Sequence, residues 1–455
     1  MSSPSATESW TRQNLNEEQE AQALARSGGR SRARRTASNL ILHLHPPRVP
    51  VNALRFTYTW GLGGISALLA IVLGITGVML MFRYEPSIER AYVSIQILES
   101  QVAFGSLFRA VHHWSANLVV ISTFLHLLRV FLTGSYKRGR AANWFIGTLL
   151  FILVLAFNFT GYLLPWDQLA YWAITVSTSL VSYVPVVGPE IGRLLLADAQ
   201  VGQGALSNFY AAHVAVLPVV TVGFLAYHFW KVRKDGGISQ AEEAGDRPPR
   251  RVPTIPHLVE REFAVGALVL AGLVLFAMVV PAPLGELANP QHSPNPAKSA
   301  WYFSGLQELL LHMHPLAAIV LVVVVLGGLA FLPRLDRGDE AFAIYFRSAV
   351  GRRAGVVGAM LALYVVPLLV VLDEFVLDIG GWLSGWPLLI STGLIPLALT
   401  LGGLGALYGL LRRMLKASHS EAVVGLFALL AVGLVLLTIV GVYFRGPNMA
   451  LVLPF

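Results

Sequence analysis

The sequence has no cysteine among its 455 residues. This absence excludes disulfides, thiolate metal sites, iron–sulfur clusters carried by the chain, and covalent cofactor attachment through thioethers. Charge is also scarce, because 13% of the residues are charged whereas 55% are hydrophobic. With a mean hydropathy of +0.64, the chain is typical of a polytopic membrane protein and is not an ordinary soluble enzyme. Any redox centre in it would have to be ligated by histidine.

Nine apolar segments are each long enough to cross a bilayer, followed or separated by polar connections. They lie at roughly 56–82, 107–133, 143–164, 208–231, 262–281, 315–333, 355–373, 388–411 and 421–443. The sequence therefore predicts an all-α integral membrane protein.

The basic residues indicate the orientation of these spans. A net charge of +8 would suggest nucleic-acid binding in a soluble protein, but here Lys and Arg cluster in connections that nine spans place on one side. Acidic residues prevail on the other side, where two long connections rich in Pro, Gly and aromatics also lie. We expect the basic side, including the N-terminus, to be cytoplasmic, most simply at a bacterial cytoplasmic membrane, and we do not expect a nucleic-acid partner.

Four histidines lie within two of the apolar segments. His112 and His126 are 14 residues apart, and His213 and His228 are 15 apart, so each pair shares one broad helix face at two depths about 21 to 22 Å apart. Ionisable side chains are rare within a bilayer and mark functional sites. Two such helices facing each other would provide two pairs of axial imidazole ligands, which predicts two stacked haems. The alternative is that each histidine only hydrogen-bonds between helices.

Glycines repeat the histidine interval. Gly63 and Gly77 in the first span, and Gly147 and Gly161 in the third, are each 14 residues apart. A porphyrin packed flat against a helix needs a position without a side chain, although glycine is also common where membrane helices pack closely. Together with the histidines, the glycines favour a haem-binding four-helix bundle.

Three stretches resemble the cytochrome b subunit of the cytochrome bc1 and b6f complexes. They are RAVHHWSANLVVISTFLHLLRVFLTG from Arg109, GYLLPWDQLAYWA from Gly161 and SNFYAAHVAVLPVVTVGFLAYHFWKVRK from Ser207. The resemblance is close over residues 55–240 and traceable to about 335, and the 15-residue second interval is similar to the b6f branch. It implies that His112 and His213 ligate the iron of an outer haem, and that His126 and His228 ligate that of an inner haem. His113 points about 100° away and is not expected to be a ligand.

Other charged or titratable residues are candidates for contacts with the haems or with quinone. Arg109 and Arg129, near the two ends of the second span, are candidate partners for haem propionates, with interfacial snorkelling as the alternative. Four titratable or charged residues beside the inner haem are candidates for a quinone-reduction pocket, unless they are ordinary helix-end charges: Arg233, His257, Glu260 and Glu262.

The family's motif for quinol oxidation, Pro-Glu-Trp-Tyr, is altered. This chain has Ser299-Ala300-Trp301-Tyr302, so Trp301 and Tyr302 are kept and the glutamate that receives a quinol proton in the family is absent. Alanine cannot accept a proton. Glu308 is the leading substitute, and Glu286 and His292 are further candidates. A second departure is Gly61, which stands where the b6f branch has a cysteine that anchors a c-type haem, so we expect two non-covalent b haems and no covalent haem.

These observations divide the chain and suggest its function. We expect a partly disordered cytoplasmic tail (1–50), a dihaem four-helix domain (51–235), a linker (236–260), a quinol-site loop with its helices (261–335) and further transmembrane helices (336–455), about five spans following the bundle. The leading hypothesis is the core of a proton-translocating quinol:cytochrome c oxidoreductase, carrying electrons from quinol outside to quinone at the cytoplasmic face. A Rieske iron–sulfur protein, a c-type cytochrome, membrane lipid and a second copy of the chain are the expected partners.

Two other hypotheses stay open. The chain could relay electrons between quinone and another membrane oxidoreductase without a functional outer quinol site, as the missing glutamate suggests. It could also be a haem-free transporter or scaffold in which the histidines carry protons.

Overall fold

The computed structural model describes residues 42, 44–240, 250–338 and 340–453. Within these residues the only strands are β1 (Arg48–Pro50) and β2 (Arg251–Pro253), which pair antiparallel. The expected disordered tail of residues 1–50 lies mostly outside the described residues, as does the middle of the linker 236–260.

Helices make up nearly all the remaining regular structure. The first half contains α1 (Leu62–Met81), α2 (Ala91–Gln101), α3 (Gly105–Leu132), α4 (Ala141–Leu163), α5 (Gln168–Val181), α6 (Gly188–Leu196) and α7 (Gln203–Lys234). The second half contains α8 (Val259–Val279), α9 (Trp301–His312), α10 (Pro315–Ala330), α11 (Ala349–Phe375), α12 (Leu389–Met414) and α13 (His419–Tyr443). Single turns lie at Val51–Leu54, Phe56–Thr59, Thr254–His257, Leu332–Leu335, Ile379–Trp382 and Pro447–Met449.

Eight helices in the described part of the chain are long and apolar enough to cross a membrane, namely α1, α3, α4, α7, α8, α11, α12 and α13. This confirms the prediction of an all-α integral membrane protein. The sixth predicted span, 315–333, is shorter than expected, because α10 has 16 residues and is about 24 Å long. Phe331 ends it, and Pro333 lies at the start of the next turn, where its missing N–H cannot continue a helix.

The first four long helices form a bundle in which α1 packs along α3, α4 packs along α7, and α3 contacts α4. Helix α8 lies against the outside of α3. We call the end of the bundle that carries β1 and β2 the sheet side, and the end that carries α2, α5 and α6 the loop side.

The C-terminal helices assemble around α13, which packs along both α11 and α9. Helices α11 and α13 approach closely at Gly358, where no side chain would fit. A Cβ built on Gly358 would lie 2.0 Å from the Gly425 carbonyl oxygen. Small residues at such crossings let membrane helices approach backbone to backbone.

A buried polar network joins these helices to the bundle on the sheet side. Asp336 accepts from Arg347 at 2.6 Å and from Lys137, in the loop after α3, at 3.1 Å. The side chains of Asp336 and Arg347 are fully buried, and Ser420 at the start of α13 donates to Asp336 at 2.7 Å. Burial alone would raise the pKa of Asp336, but the neighbouring Arg347 charge and the hydrogen bonds lower it. The Asp336 carboxylate therefore links the loop after α3, the segment before α11 and the start of α13, through Lys137, Arg347 and Ser420.

Replacing Asp336 with asparagine should destabilise the protein by about 3 kcal/mol, because it leaves the buried Arg347 without a counter-charge and Lys137 with only the more distant Glu340. Unfolding of the purified protein in detergent, followed by tryptophan fluorescence, measures this. Glu340→Gln is the matched control, because its carboxylate is 3.5 Å from Lys137 and partly exposed, so its loss should cost less than about 1 kcal/mol. Equal stability of the Asp336→Asn variant and the wild type would contradict the proposed role.

Candidate functional site

The structure places the four histidines between α3 and α7. The rings of His112 and His213 lie side by side, with centres 6.3 Å apart. His126, further along α3, lies close enough to His228 for a charge on one to affect the other. Each helix thus contributes one histidine at each of two depths.

Each histidine faces one of the four glycines that repeat its interval. A Cβ built on Gly77 would lie 3.3 Å from Cε1 of His112, and one on Gly161 would lie 2.6 Å from Cε1 of His213. The corresponding distances are 3.1 Å for Gly63 with His126 and 3.6 Å for Gly147 with His228. The glycines of α1 and α4 therefore make room for the imidazoles of α3 and α7, and a side chain at Gly161 would collide with His213.

Hydrogen bonds fix the tautomers of the two histidines nearer the loop side. Nδ1 of His213 is 3.1 Å from the Phe157 carbonyl oxygen, which can only accept. Nδ1 of His112 is 2.9 Å from the Thr76 hydroxyl, which donates its proton to the Val72 carbonyl at 2.7 Å. With the Thr76 proton directed at the Val72 carbonyl, Nδ1 donates in both contacts, and both Nε2 atoms keep a lone pair for a metal. A ligating histidine is commonly oriented by such a bond from its other nitrogen.

The separation of the His112 and His213 rings fits two ligands of one metal. Imidazole nitrogen binds a metal such as zinc at about 2.0 Å, and a nitrogen lies about 1 Å from its ring centre, so two rings on opposite sides of one ion have centres about 6 Å apart. No group of three or more His, Cys, Asp or Glu side chains in the described residues forms a metal site. A porphyrin needs only two protein ligands, so a pair of imidazoles fits haem.

The two arginines of α3 have different surroundings. Arg109 pairs with Glu99 and donates to the Ala282 and Pro283 carbonyl oxygens at 3.0 and 2.6 Å. Arg129 donates from Nε to the Tyr58 carbonyl at 3.0 Å. Its Nη2 is buried without a hydrogen-bond partner among the described residues. A buried, unpaired guanidinium nitrogen fits an anionic group absent from the chain itself, so Arg129 is the stronger candidate for a propionate.

The altered motif begins helix α9. Ala300 is the residue before its first turn, and the Trp301 Nε1 donates to Asn117 Oδ1 of α3 at 2.5 Å. Burial raises the pKa of Tyr302, which keeps its hydroxyl protonated. The start of α9 is thereby bonded to α3 through Trp301.

Comparison with known proteins agrees with this arrangement. Residues 50–236 match the family model described as Cytochrome b/b6/petB. Cytochrome b6 of Heliobacterium modesticaldum is 42% identical over 192 residues, which are 42% of this chain and 88% of that protein. Cytochrome b6 of Porphyra purpurea is 42% identical over 175 residues, 38% of this chain and 81% of that protein.

The chain belongs to the cytochrome b/b6 family. The four histidines and four glycines all lie inside the matched region. A solved chain of a hyperthermophilic respiratory complex III has the same fold with a TM-score of 0.62 at 22% identity, over 84% of this chain and 91% of that one. This likeness extends the shared fold into the C-terminal helices.

The four candidate quinone-reduction residues of this chain do not lie together. Arg233 lines a cavity of about 340 Å³ with Trp230, Lys234, Pro46 and Pro47 on the sheet side. The cavity lining does not include the other three candidates. Glu262 pairs with His45 at 3.3 Å, and the His257 carbonyl accepts from Arg261. For Glu260 the structure adds only that it lies in the first turn of α8.

Glu308 belongs to a second ion-pair cluster, on the loop side, which we call the α9 clamp. Its carboxylate, fully buried, accepts from Arg445 at 2.6 Å and from Nε2 of His312 at 3.1 Å. Arg445 also reaches Glu374 at 2.7 Å, and Nδ1 of His312 reaches Asp373 at 2.7 Å. The clamp fastens α9 to the end of α11 and to the segment after α13.

The sequence analysis identified Glu308 but missed Arg445, its main partner. The available signal was a basic residue just after the last span, on the side where acidic residues prevail. Burial alone would raise the pKa of Glu308, but the hydrogen bonds and charges of His312 and Arg445 lower it. The carboxylate is therefore ionised at neutral pH.

The α9 clamp should stabilise the protein more at mildly acidic than at alkaline pH. Burial alone would lower the pKa of His312, but bonds to Glu308 and Asp373 raise it above 6.5. Its contribution is then fully present below about pH 6.5 and is lost as the pH rises through the raised value. Glu374 and Arg445 also face this cluster and stay charged over that range.

Replacing His312 with glutamine should therefore lower the free energy of unfolding by about 2 kcal/mol at pH 6, and by much less at pH 9. Thermal unfolding of both proteins at the two pH values measures the difference. A loss that is the same at both pH values would contradict a charged His312 in the clamp.

Proposed function

We propose that this protein is a membrane dihaem cytochrome b, the core subunit of a bc-type complex that oxidises quinol. The observation that supports this most is the arrangement of four imidazoles in two pairs, each imidazole against its own glycine. Bound haem would supply reversible one-electron transfer in the membrane. His112 with His213, through Nε2, and His126 with His228 would hold two non-covalent b haems.

The surrounding residues would orient the imidazoles and neutralise the charge of the haem propionates. Thr76 and the Phe157 carbonyl fix the imidazole tautomers, and Arg129 offers a buried cation for a propionate. Arg109 is a weaker propionate candidate because its guanidinium is already bonded within the chain. No covalent c-type haem is expected, because the chain has no cysteine and the matching position is Gly61.

We propose that the loop side faces outward and the sheet side faces the cytoplasm of a bacterium. Quinol would be oxidised beside Trp301 and Tyr302, and quinone would be reduced on the sheet side near Arg233, with His257, Glu260 and Glu262 as further candidates. Glu308 is retained as a candidate proton acceptor. Because both of its oxygens are already bonded, that role requires it to exchange a bond with Arg445 or His312.

A chain without cysteine cannot carry a high-potential iron–sulfur acceptor. We therefore propose a Rieske protein and a c-type cytochrome, or a similar acceptor, as partners, in a homodimeric complex embedded in lipid. The family name and the fold shared with a complex III chain support this assembly.

One alternative is favoured by a specific observation. Ala300 stands where the family has its acid, which favours an electron-relay subunit whose outer quinol site does not work.

Replacing His126 with glutamine should remove the inner haem and keep the outer one, because glutamine offers no imidazole ligand. A reduced-minus-oxidised spectrum of the purified protein should show the b-type α-band at about half the wild-type amplitude per chain. His419→Gln, which removes a histidine bonded to Tyr408 and the Leu335 carbonyl, should leave the spectrum unchanged. Two haems retained in the His126 variant would overturn the pairing.

Two variants of the purified complex show which quinol site works. Each is mixed with quinol while the high-potential partners are oxidised. If the outer site works, Tyr302→Leu should slow haem reduction by quinol about tenfold or more, since it alters the outer pocket, while Arg233→Gln has less effect. The measurement is stopped-flow absorbance of the α-band, after both variants are shown to contain two haems. Slowing by Arg233→Gln alone would favour the relay alternative.

A further inference from the structure

One stripe of α3 contacts both ends of the connection between α8 and α9. Arg109, His113 and Asn117 are spaced four residues apart and share a helix face. Arg109 donates to the Ala282 and Pro283 carbonyls at the start of this connection, and Asn117 accepts from Trp301 at its end. His113 lies between these two residues, on the helix face that contacts Trp301 through Asn117.

The backbone and ring of His113 are held in place by neighbouring groups. The Asn117 amide donates to the His113 carbonyl at 2.9 Å. The His113 ring packs edge-on against Trp114 with centres 4.9 Å apart, and the Trp114 Nε1 donates to the Val280 carbonyl at 2.9 Å. The imidazole therefore has a defined position beside the end of α8.

The polar edge of this imidazole is not used within the chain. In the parts of the chain that the structure describes, neither ring nitrogen of His113 forms a hydrogen bond, and the side chain is half-buried. Its nitrogens are also not among the fully buried side-chain atoms that lack a hydrogen-bond partner, so neither nitrogen is completely shielded by the protein. By contrast, the Arg109 guanidinium already donates to Glu99 and to two carbonyl oxygens. The Asn117 amide already donates through its nitrogen and accepts through its oxygen.

A quinol site needs a few convergent polar groups in a mostly apolar pocket. The acid that the family has before Trp301 is replaced here by Ala300, so in a working site a different side chain would have to bond the hydroxyl that the acid would contact. A neutral imidazole has one donor and one acceptor nitrogen, which suits a hydroxyl. On the stripe between Arg109 and Asn117, His113 is the side chain with that capacity free.

We propose that His113 is a substrate-binding residue of the outer site, where an imidazole nitrogen hydrogen-bonds a ring hydroxyl of the quinol. This inference rests on the proposed quinol-oxidising function and assigns one of its substrate contacts. The role is binding and orientation, and no covalent bond is made or broken in it.

The test compares two variants of the complete complex. His113→Phe keeps a ring against Trp114 and removes the nitrogens, whereas His113→Gln keeps a donor and an acceptor. The probe is 2,3-dimethyl-1,4-naphthoquinol, oxidised with the native partners present. His113→Phe should raise KM about tenfold with little change in kcat, and His113→Gln should stay within about threefold of the wild-type KM. Both variants should keep the wild-type haem spectrum, since His112 stays ligated.

The outcomes separate this inference from the function on which it depends. A wild-type KM in a His113→Phe complex with two haems would refute the binding role and leave the proposed function intact. An equal rise in KM for both variants would also refute it, because a merely structural effect is not rescued by glutamine. A wild-type complex with two haems that does not oxidise quinol outside would instead refute the proposed function.

Discussion

The packing of the bundle depends on the contact between each imidazole and a glycine of the neighbouring helix. An ionisable ring within a bilayer is costly unless it is partnered, and each ring here occupies the space left by a glycine on the neighbouring helix. The glycines of α1 and α4 set how closely those helices approach α3 and α7. The matching intervals of the histidines and glycines then repeat that contact at two depths, so that one pair of helices carries two pairs of imidazoles.

Two charged networks hold the remaining helices to this bundle. On the sheet side, Asp336 joins the loop after α3 to Arg347 and to α13. On the loop side, Glu308 joins α9 to Arg445 and, through His312, to α11. Helix α9 starts with the motif that faces α3, so the clamp at its far end fixes the position of that motif. The C-terminal helices, whose purpose is not evident from the sequence, thus brace the candidate quinol site.

The parts of this arrangement that depend on local spacing were predictable. The interval between His112 and His126, repeated in the glycines, indicated paired sites because helical geometry converts spacing into position. The pairing of Arg445 with Glu308, 137 residues apart, and of Trp301 with Asn117, 184 apart, was not predictable, because tertiary packing brings these side chains together. The early end of α10 also escaped prediction, since hydropathy continues past Phe331 although Pro333 does not allow the helix to continue.

Haem content and potential in the wild-type protein test the central claim most directly. Extraction and quantification of non-covalent haem, with a potentiometric titration of the α-band, count the haems and resolve their potentials. Two facing imidazole pairs predict two b haems per chain and two separate one-electron transitions. A protein that folds and contains one haem, or none, would contradict the assignment of the four histidines.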